Sequence, residues 1–310
     1  MIPTDRQFVS RAAICGAGFI GRSLIEQLLS QGIEVSVLDH KTCPPELSGR
    51  VTWFQGDFTD EAILRVALEG VDVAYHLVSS TVPGDDKVGL ITELADNIFA
   101  TIRFIDCCIA LGVHRIVFVS SSSVYGLQEH TPISETAATN PISSHGIHKL
   151  TIEKYLLLYR FDHDVDVRIV RLANPFGPGQ DLLGRQGFVA IAIGKIIRGE
   201  AILLRASGAP IRDFIFIEDV SRALALVGLA ANAPPVLNLG TGEGHSLRSV
   251  VRMLEDLLGR NLSTIDGPLR KADIPTSVLD VSLIGCSVGF EPTTSMRDAL
   301  ELTLRHWEVV

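Results

Sequence analysis

No stretch of this 310-residue chain comes near the roughly 18 consecutive apolar residues of a membrane helix, although 46% of its residues are hydrophobic. Its first residues, MIPTDRQFVSRAAICGAG, hold neither the apolar core nor the small-residue cleavage site of a secretory signal. A soluble, cytoplasmic protein is therefore expected. Basic runs are missing as well, and the formal net charge is −9. A nucleic-acid surface needs clustered Lys and Arg, so that partner is excluded, as is a membrane. An anionic small molecule is not excluded, because a few placed Arg side chains and helix N-termini suffice for one diphosphate. Cysteine is sparse: Cys15, Cys43, Cys107, Cys108 and Cys286 form no C-x-x-C pair and no His spacing suited to zinc. An odd number without a framework reads as reduced structural thiols, with no metal site and no Cys nucleophile.

What is present is an alternation. Arg11–Cys15, Glu34–Leu38, Val51–Phe54, Val71–Leu77 and Arg115–Ser120 read as short buried strands. Between them Gly21–Gly32, Asp60–Glu69 and Thr92–Leu111 carry apolar residues at three-to-four spacing, and a helix over His145–Phe161 and a strand over Val165–Leu172 continue the series. This predicts an α/β protein, a Rossmann-type doubly wound parallel sheet covered on both faces. After Asn174 a loop crowded with Pro175, Gly177, Pro178, Gly179, Gly184 and Gly187 leads to a helix over Phe188–Arg198. The chain shows no internal repeat, and one compact unit is expected. Its nucleotide-binding domain would span residues 10–173 plus about 211–241, with a smaller C-terminal lobe from 174–210 and 242–306.

ICGAGFIGRSL places Gly16, Gly18 and Gly21 between the first strand and its helix, with Phe19 and Ile20 inside the turn. In that context G-x-G-x-x-G has a mechanism. The first Gly makes the turn, the second admits a pyrophosphate, and the third lets helix and strand approach. Asp39 ends the second strand 18 residues beyond Gly21, where a carboxylate can take a ribose 2′-hydroxyl. It would repel a 2′-phosphate, so NAD is favoured over NADP, with Lys41 nearby as a counterweight. Asp57, followed by Phe58, ends the third strand and can meet the adenine amino group; equally, it can cap the helix that begins near Asp60.

Further along come IVFVSSSSVYG, SSHGIHK, RLANPFGPGQ, RDFIFIEDV and NLGTGEG, in that order. With the opening glycines they resemble the extended short-chain dehydrogenase/reductase family, in particular its NAD-dependent nucleotide-sugar epimerases and dehydratases, of the UDP-glucose 4-epimerase kind. The resemblance runs from about Ala12 to Leu304. It implies a Ser that positions a sugar hydroxyl, a Tyr that exchanges the proton, and a Lys that holds the nicotinamide ribose. Counted back from VYG, the Ser position is Ser121, with Ser122 its neighbour; the Lys position is Lys149. Plainer roles are a hydroxyl capping a strand end and a solvated helix Lys.

The Tyr position is His145, and no Tyr elsewhere stands four residues before a Lys. His145 and Lys149 share a helix face. An imidazole near pKa 6.5 is already a competent acceptor at cellular pH, where a phenol near 10 needs positive charge to become one. Positive neighbours that favour tyrosinate disfavour imidazolium, but hydride transfer removes the nicotinamide charge as the proton arrives. Imidazole also reaches less far, so a bridging water or a shifted sugar can be required. His148 is read as a solvent-facing helix residue.

Where the family's 4,6-dehydratases carry Asp and Glu, this chain has Ser122 and Ser123, which disfavours dehydration, and Cys15 stands where the family's first Gly would be. By the resemblance, Asn174, Arg212, Arg270 and Asp273 would hold the nucleotide diphosphate and ribose of a uridine or deoxythymidine diphosphate sugar; Arg212 can instead pair with Asp213 or Glu218. The expected activity is an NAD-dependent nucleotide-sugar epimerase working by transient oxidation at C4. A ketoreductase or dehydrogenase, and a catalytically silent binder of NAD and nucleotide sugar, are the other readings. Family members pair through the two long helices, so a homodimer is expected, and Ile98, Ile102, Ile105 and Ile109 suit that contact or packing on the sheet.

Overall fold

The computed structural model describes residues 9–79, 90–184, 186–268 and 273–309. The apolar runs form β1 (Arg11–Cys15), β2 (Glu34–Asp39), β3 (Thr52–Gln55), β4 (Val73–His76), β5 (Arg115–Ser121) and β6 (Asp166–Leu172). With β10 (Val236–Leu239) they build one seven-stranded sheet in the order β10-β6-β5-β4-β1-β2-β3. Every pairing in it is parallel. The other strands are β7 (Asn174–Phe176), β8 (Ile202–Arg205), β9 (Ile211–Phe216), β11 (Gly244–Ser246), β12 (Thr264–Gly267) and β13 (Thr276–Ser277). The helices are α1 (Phe19–Ser30), α2 (Glu61–Leu68), α3 (Leu90–Leu94), α4 (Ala100–Ala110), α5 (Ser144–His163), α6 (Phe188–Ile197), α7 (Ile217–Leu229), α8 (Leu247–Leu258), α9 (Ser282–Val288) and α10 (Met296–His306).

Successive side chains of a strand point to opposite faces, so β1 feeds two cores. Ala12 and Ile14 meet Leu24, Ile25 and Leu28 of α1 and Val220, Leu224 and Val227 of α7. Ala13 and Cys15 meet Leu64, Phe104, Ile105, Ile152 and Leu156 from α2, α4 and α5. Each fully buried Leu or Ile contributes about 1.5–3 kcal/mol. The strand order reverses between β1 and β4, which opens a crevice beyond their carboxyl ends, the place where such sheets hold ligands.

Two sequence readings are corrected. The range of about 211–241 is expected with the nucleotide domain; its first residues form β9, which pairs instead with β7, β11 and β13 in a separate four-stranded sheet. Only the segment after it, α7 and β10, lies on the large sheet. The second concerns Thr92–Leu111, expected as one helix. Here α3 and α4 flank a π-helical turn over Ala95–Phe99. Asn97 Nδ2 donates to Glu93 O at 2.7 Å, and Thr101 Oγ1 donates to Asn97 O. These side chains satisfy carbonyls at the widened turn.

Candidate active site

The β1–α1 turn shows why three glycines stand there. Gly16 has φ +100°. A Cβ on Gly21 would lie 2.1 Å from Gly16 O, whereas a Cβ on Gly18 would meet nothing within 4 Å. The first pair is closed on itself and the middle glycine opens outward. Helix α1 begins at Phe19 and Ile20 with no side-chain cap and no acidic residue in its first turn, so its N–H groups face the crevice uncompensated. Asp39 reaches this turn: its carboxylate accepts from Ala17 N at 2.7 Å and from Lys41 N at 2.8 Å. A dinucleotide fits such a cradle. Cys15 is wholly buried and its thiol is pushed up to about 12, so it is inert.

Asp57 is turned onto its own loop, accepting from the backbone N–H and the hydroxyl of Thr59, both at 2.7 Å; those bonds hold its carboxyl below the usual range. The cap of α2 is Asp60, which accepts from Ala62 N. The Phe58 ring packs in the core, 4.8 Å from His76 and 5.6 Å from Phe104 between centroids.

Ser121 closes β5 and caps the 3-10 turn Ser122–Tyr125, its Oγ accepting from Ser123 N at 3.1 Å. The O–H remains available to donate. Helix α5 starts beside that turn. Ser143 Oγ accepts from Gly146 N, and a Cβ on Gly146 would stand 2.7 Å from Ser123 O. This glycine lets the helix that carries His145 press on the loop that carries Ser121. His145 is buried on the same helix face as Lys149. The Lys149 side chain is buried, its Nζ donating to Val119 O at 2.8 Å and lying 4.7 Å from the centroid of the Phe118 ring. Burial lowers its pKa to about 8, against an opposing pull from Glu153. At neutral pH the ammonium is still charged, with two N–H donors left for a ligand.

His148, expected at the surface, is buried instead. Its Nδ1 lies 3.7 Å from Oε2 of the buried Glu93. The π turn packs against α5 here, and Glu93 at the end of α3 meets His148 beside it. Nothing near His148 in sequence announces Glu93.

On the lobe side, Asn174 Nδ2 donates to Asp213 O at 2.8 Å, tying β7 to β9. Arg212 lies half-buried, donating to Ile211 O at 2.8 Å; burial lowers its pKa and the nearby Asp273 opposes this. Its charge thus meets Asp273, while Asp213 is occupied elsewhere. Arg270 lies outside the described residues. Asp213, weighed from the sequence only as a partner for Arg212, has a different role. It is fully buried and accepts from Thr241 N, Thr241 Oγ1 and Gly242 N at 2.8, 2.8 and 3.1 Å, which moors the NLGTGEG loop to β9. Its one signal was RD ahead of an apolar run.

Comparison with known proteins places this architecture. Residues 12–240 match the model of the NAD dependent epimerase/dehydratase family. The chain is 28% identical to the UDP-glucose 4-epimerase of Mycolicibacterium smegmatis over 304 residues, covering 95% of this chain and 97% of that protein. It is 26% identical to the dTDP-4-dehydro-6-deoxyglucose reductase of Escherichia coli, covering 94% and 95%. The UDP-glucose 4-epimerase of Thermus thermophilus in complex with NAD superposes with a TM-score of 0.88 at 27% identity, covering 96% of this chain and 99% of that one. With its family model matched over most of its length, the chain belongs to the NAD-dependent epimerase/dehydratase family.

Proposed function

We propose that this protein binds NAD and interconverts nucleotide-diphosphate sugars that differ at C4, acting by transient oxidation with His145 as the proton acceptor and donor. The observation that supports the reading most is that Lys149 is held at the carbonyl of Val119, two residues before Ser121 on β5, while Gly146, the residue after His145, presses on Ser123. NAD, when bound, supplies the acceptor and later the donor of hydride. Gly16, Gly18, Phe19, Ile20, Gly21, Asp39, Asp57, Phe58 and Lys149 are the residues assigned to holding it. Ser121 donates to and orients the C4 hydroxyl, since its oxygen is already engaged by Ser123 N–H. His145 takes the C4 hydroxyl proton as the carbonyl forms and returns it on the other half of the cycle. Lys149 holds the ribose and keeps a positive charge beside the developing oxyanion.

Asn174, Arg212, Arg270 and Asp273 are assigned to the nucleotide diphosphate. The relatives named as UDP-glucose 4-epimerases support a uridine nucleotide. A one-way reductase is the second reading, favoured by the likeness to the E. coli dTDP-4-dehydro-6-deoxyglucose reductase. The molecule pairs with a second copy through the exposed side of α5, where Ile147, Tyr155, Leu158 and Phe161 stand out from the surface. The His145→Phe variant tests the chemical assignment. Turnover should vanish while NAD affinity stays within about twofold, and normal turnover by this variant removes His145 from the mechanism.

A further inference from the structure

Beneath the proposed catalytic groups lies a polar network that their chemistry does not use. Glu153 stands four residues after Lys149 on the buried face of α5 and is 1% exposed. Its Oε1 accepts from Ser120 Oγ at 2.5 Å. Arg171 of β6 clamps it from the other side, Nε to both oxygens at 3.1 and 3.2 Å and Nη2 to Oε2 at 2.7 Å. Arg171 Nη1 in turn donates to Tyr125 Oη at 3.0 Å, and Tyr125 Oη donates to Asn238 Oδ1 at 2.6 Å. Helix α5 therefore grips the end of β5 twice, by Lys149 on Val119 and by Glu153 on Ser120, just before Ser121.

We propose that Glu153 is a positioning residue of this site, holding the Lys149 ammonium charged and in register with Ser121 through its bond to Ser120 and its place one helical turn below Lys149. The inference rests on the reading of Lys149 as a ligand-holding cation. Its physical basis is that Lys149 is buried over the Phe118 ring, near enough to His76 of β4 for the two to interact electrostatically, where water solvates the ammonium poorly. Burial, and then Lys149 itself, keep His76 uncharged. Glu93 of α3 reaches the side of His148, and His145 lies on the proximal turn of α5. Glu153 is the carboxylate that offsets Lys149's desolvation, and Arg171, though cationic, is bound to that same carboxylate. Removing the negative charge would expose Lys149 to both desolvation and Arg171, and each acts in the same direction.

The test reads the Lys149 charge without requiring turnover, so its failure is distinct from failure of the proposed activity. The Lys149 ε-carbon is titrated by NMR in the full-length protein, wild type, Glu153→Gln and Ser120→Ala. Wild type should titrate near pH 8, Glu153→Gln about one unit lower, and Ser120→Ala within a few tenths of wild type. Where wild type turns over a nucleotide sugar, the activity of Glu153→Gln relative to wild type at the same pH should be low at pH 8 and rise toward pH 6.5, a pH dependence that simple loss of packing does not give. Should Glu153→Gln fail to fold, Glu153→Asp keeps the charge at a greater distance and should lower the Lys149 titration by a smaller amount. A folded Glu153→Gln or Glu153→Asp protein whose Lys149 titrates as in wild type overturns the inference, as does a shift in Ser120→Ala equal to that in Glu153→Gln.

Discussion

On the proposed reading His145 stands where a phenol is expected, with the buried Lys149 one helical turn away on α5. Lys149 illustrates the cost. Its pKa falls from 10.5 to about 8 because the folded protein disfavours the buried charge. The unfolded chain keeps that proton to higher pH, so the penalty is fully present below about pH 8 and is relieved as pH rises toward 10.5. Lys149→Met should therefore fold more stably at pH 7, by roughly 1–2 kcal/mol in urea denaturation, while losing turnover. A destabilised Lys149→Met would show that the ammonium is a net structural asset. At the cofactor turn, Gly21→Ala sets a Cβ 2.1 Å from Gly16 O, which cannot yield without opening the turn. It should cost about 3 kcal/mol of stability and weaken NAD binding together, measurable by thermal melt and by titration. These roles of the glycines were legible from spacing alone. The burial of His148 was not, because its partner Glu93 is distant in sequence.

At the scale of elements, the six strands of the alternating series and most helices fall within two residues of where apolar periodicity put them, since those strands, the edge strand β3 excepted, are largely buried and their pattern is local. Two features were not local. The π turn depends on Asn97 and Thr101 bonding particular carbonyls, which no hydrophobic period encodes. Residues 211–216 follow the nucleotide domain in sequence pattern, yet β9 finds its partners in three segments outside the large sheet. That placement makes Asp213 a joint between β9 and the loop after β10. Asp213→Asn keeps the shape but removes acceptor capacity facing buried N–H groups, and should cost about 2–4 kcal/mol in chemical denaturation. Because Arg212 is the next residue, the same variant should raise KM for the nucleotide sugar more than it lowers kcat.

For the whole molecule, no described helix is long and apolar enough to cross a membrane. Its most exposed large apolar side chain on α5 is Phe161, 87% exposed, with Leu158 beside it. If that face meets a second copy, Leu158→Glu together with Phe161→Glu should turn a dimer into a monomer in light scattering, with folding intact. A monomeric wild type would remove the pairing. The central claim is a closed redox cycle in which the proton and hydride taken from the sugar are returned to it. The most direct measurement is to incubate the purified protein with NAD and a panel of uridine and deoxythymidine diphosphate hexoses while following the sugar protons by NMR and NADH by absorbance. The expected result is a C4 epimer without net NADH. Stoichiometric NADH with product, or unchanged sugars when NAD and nucleotide sugar are both shown to bind, would contradict it.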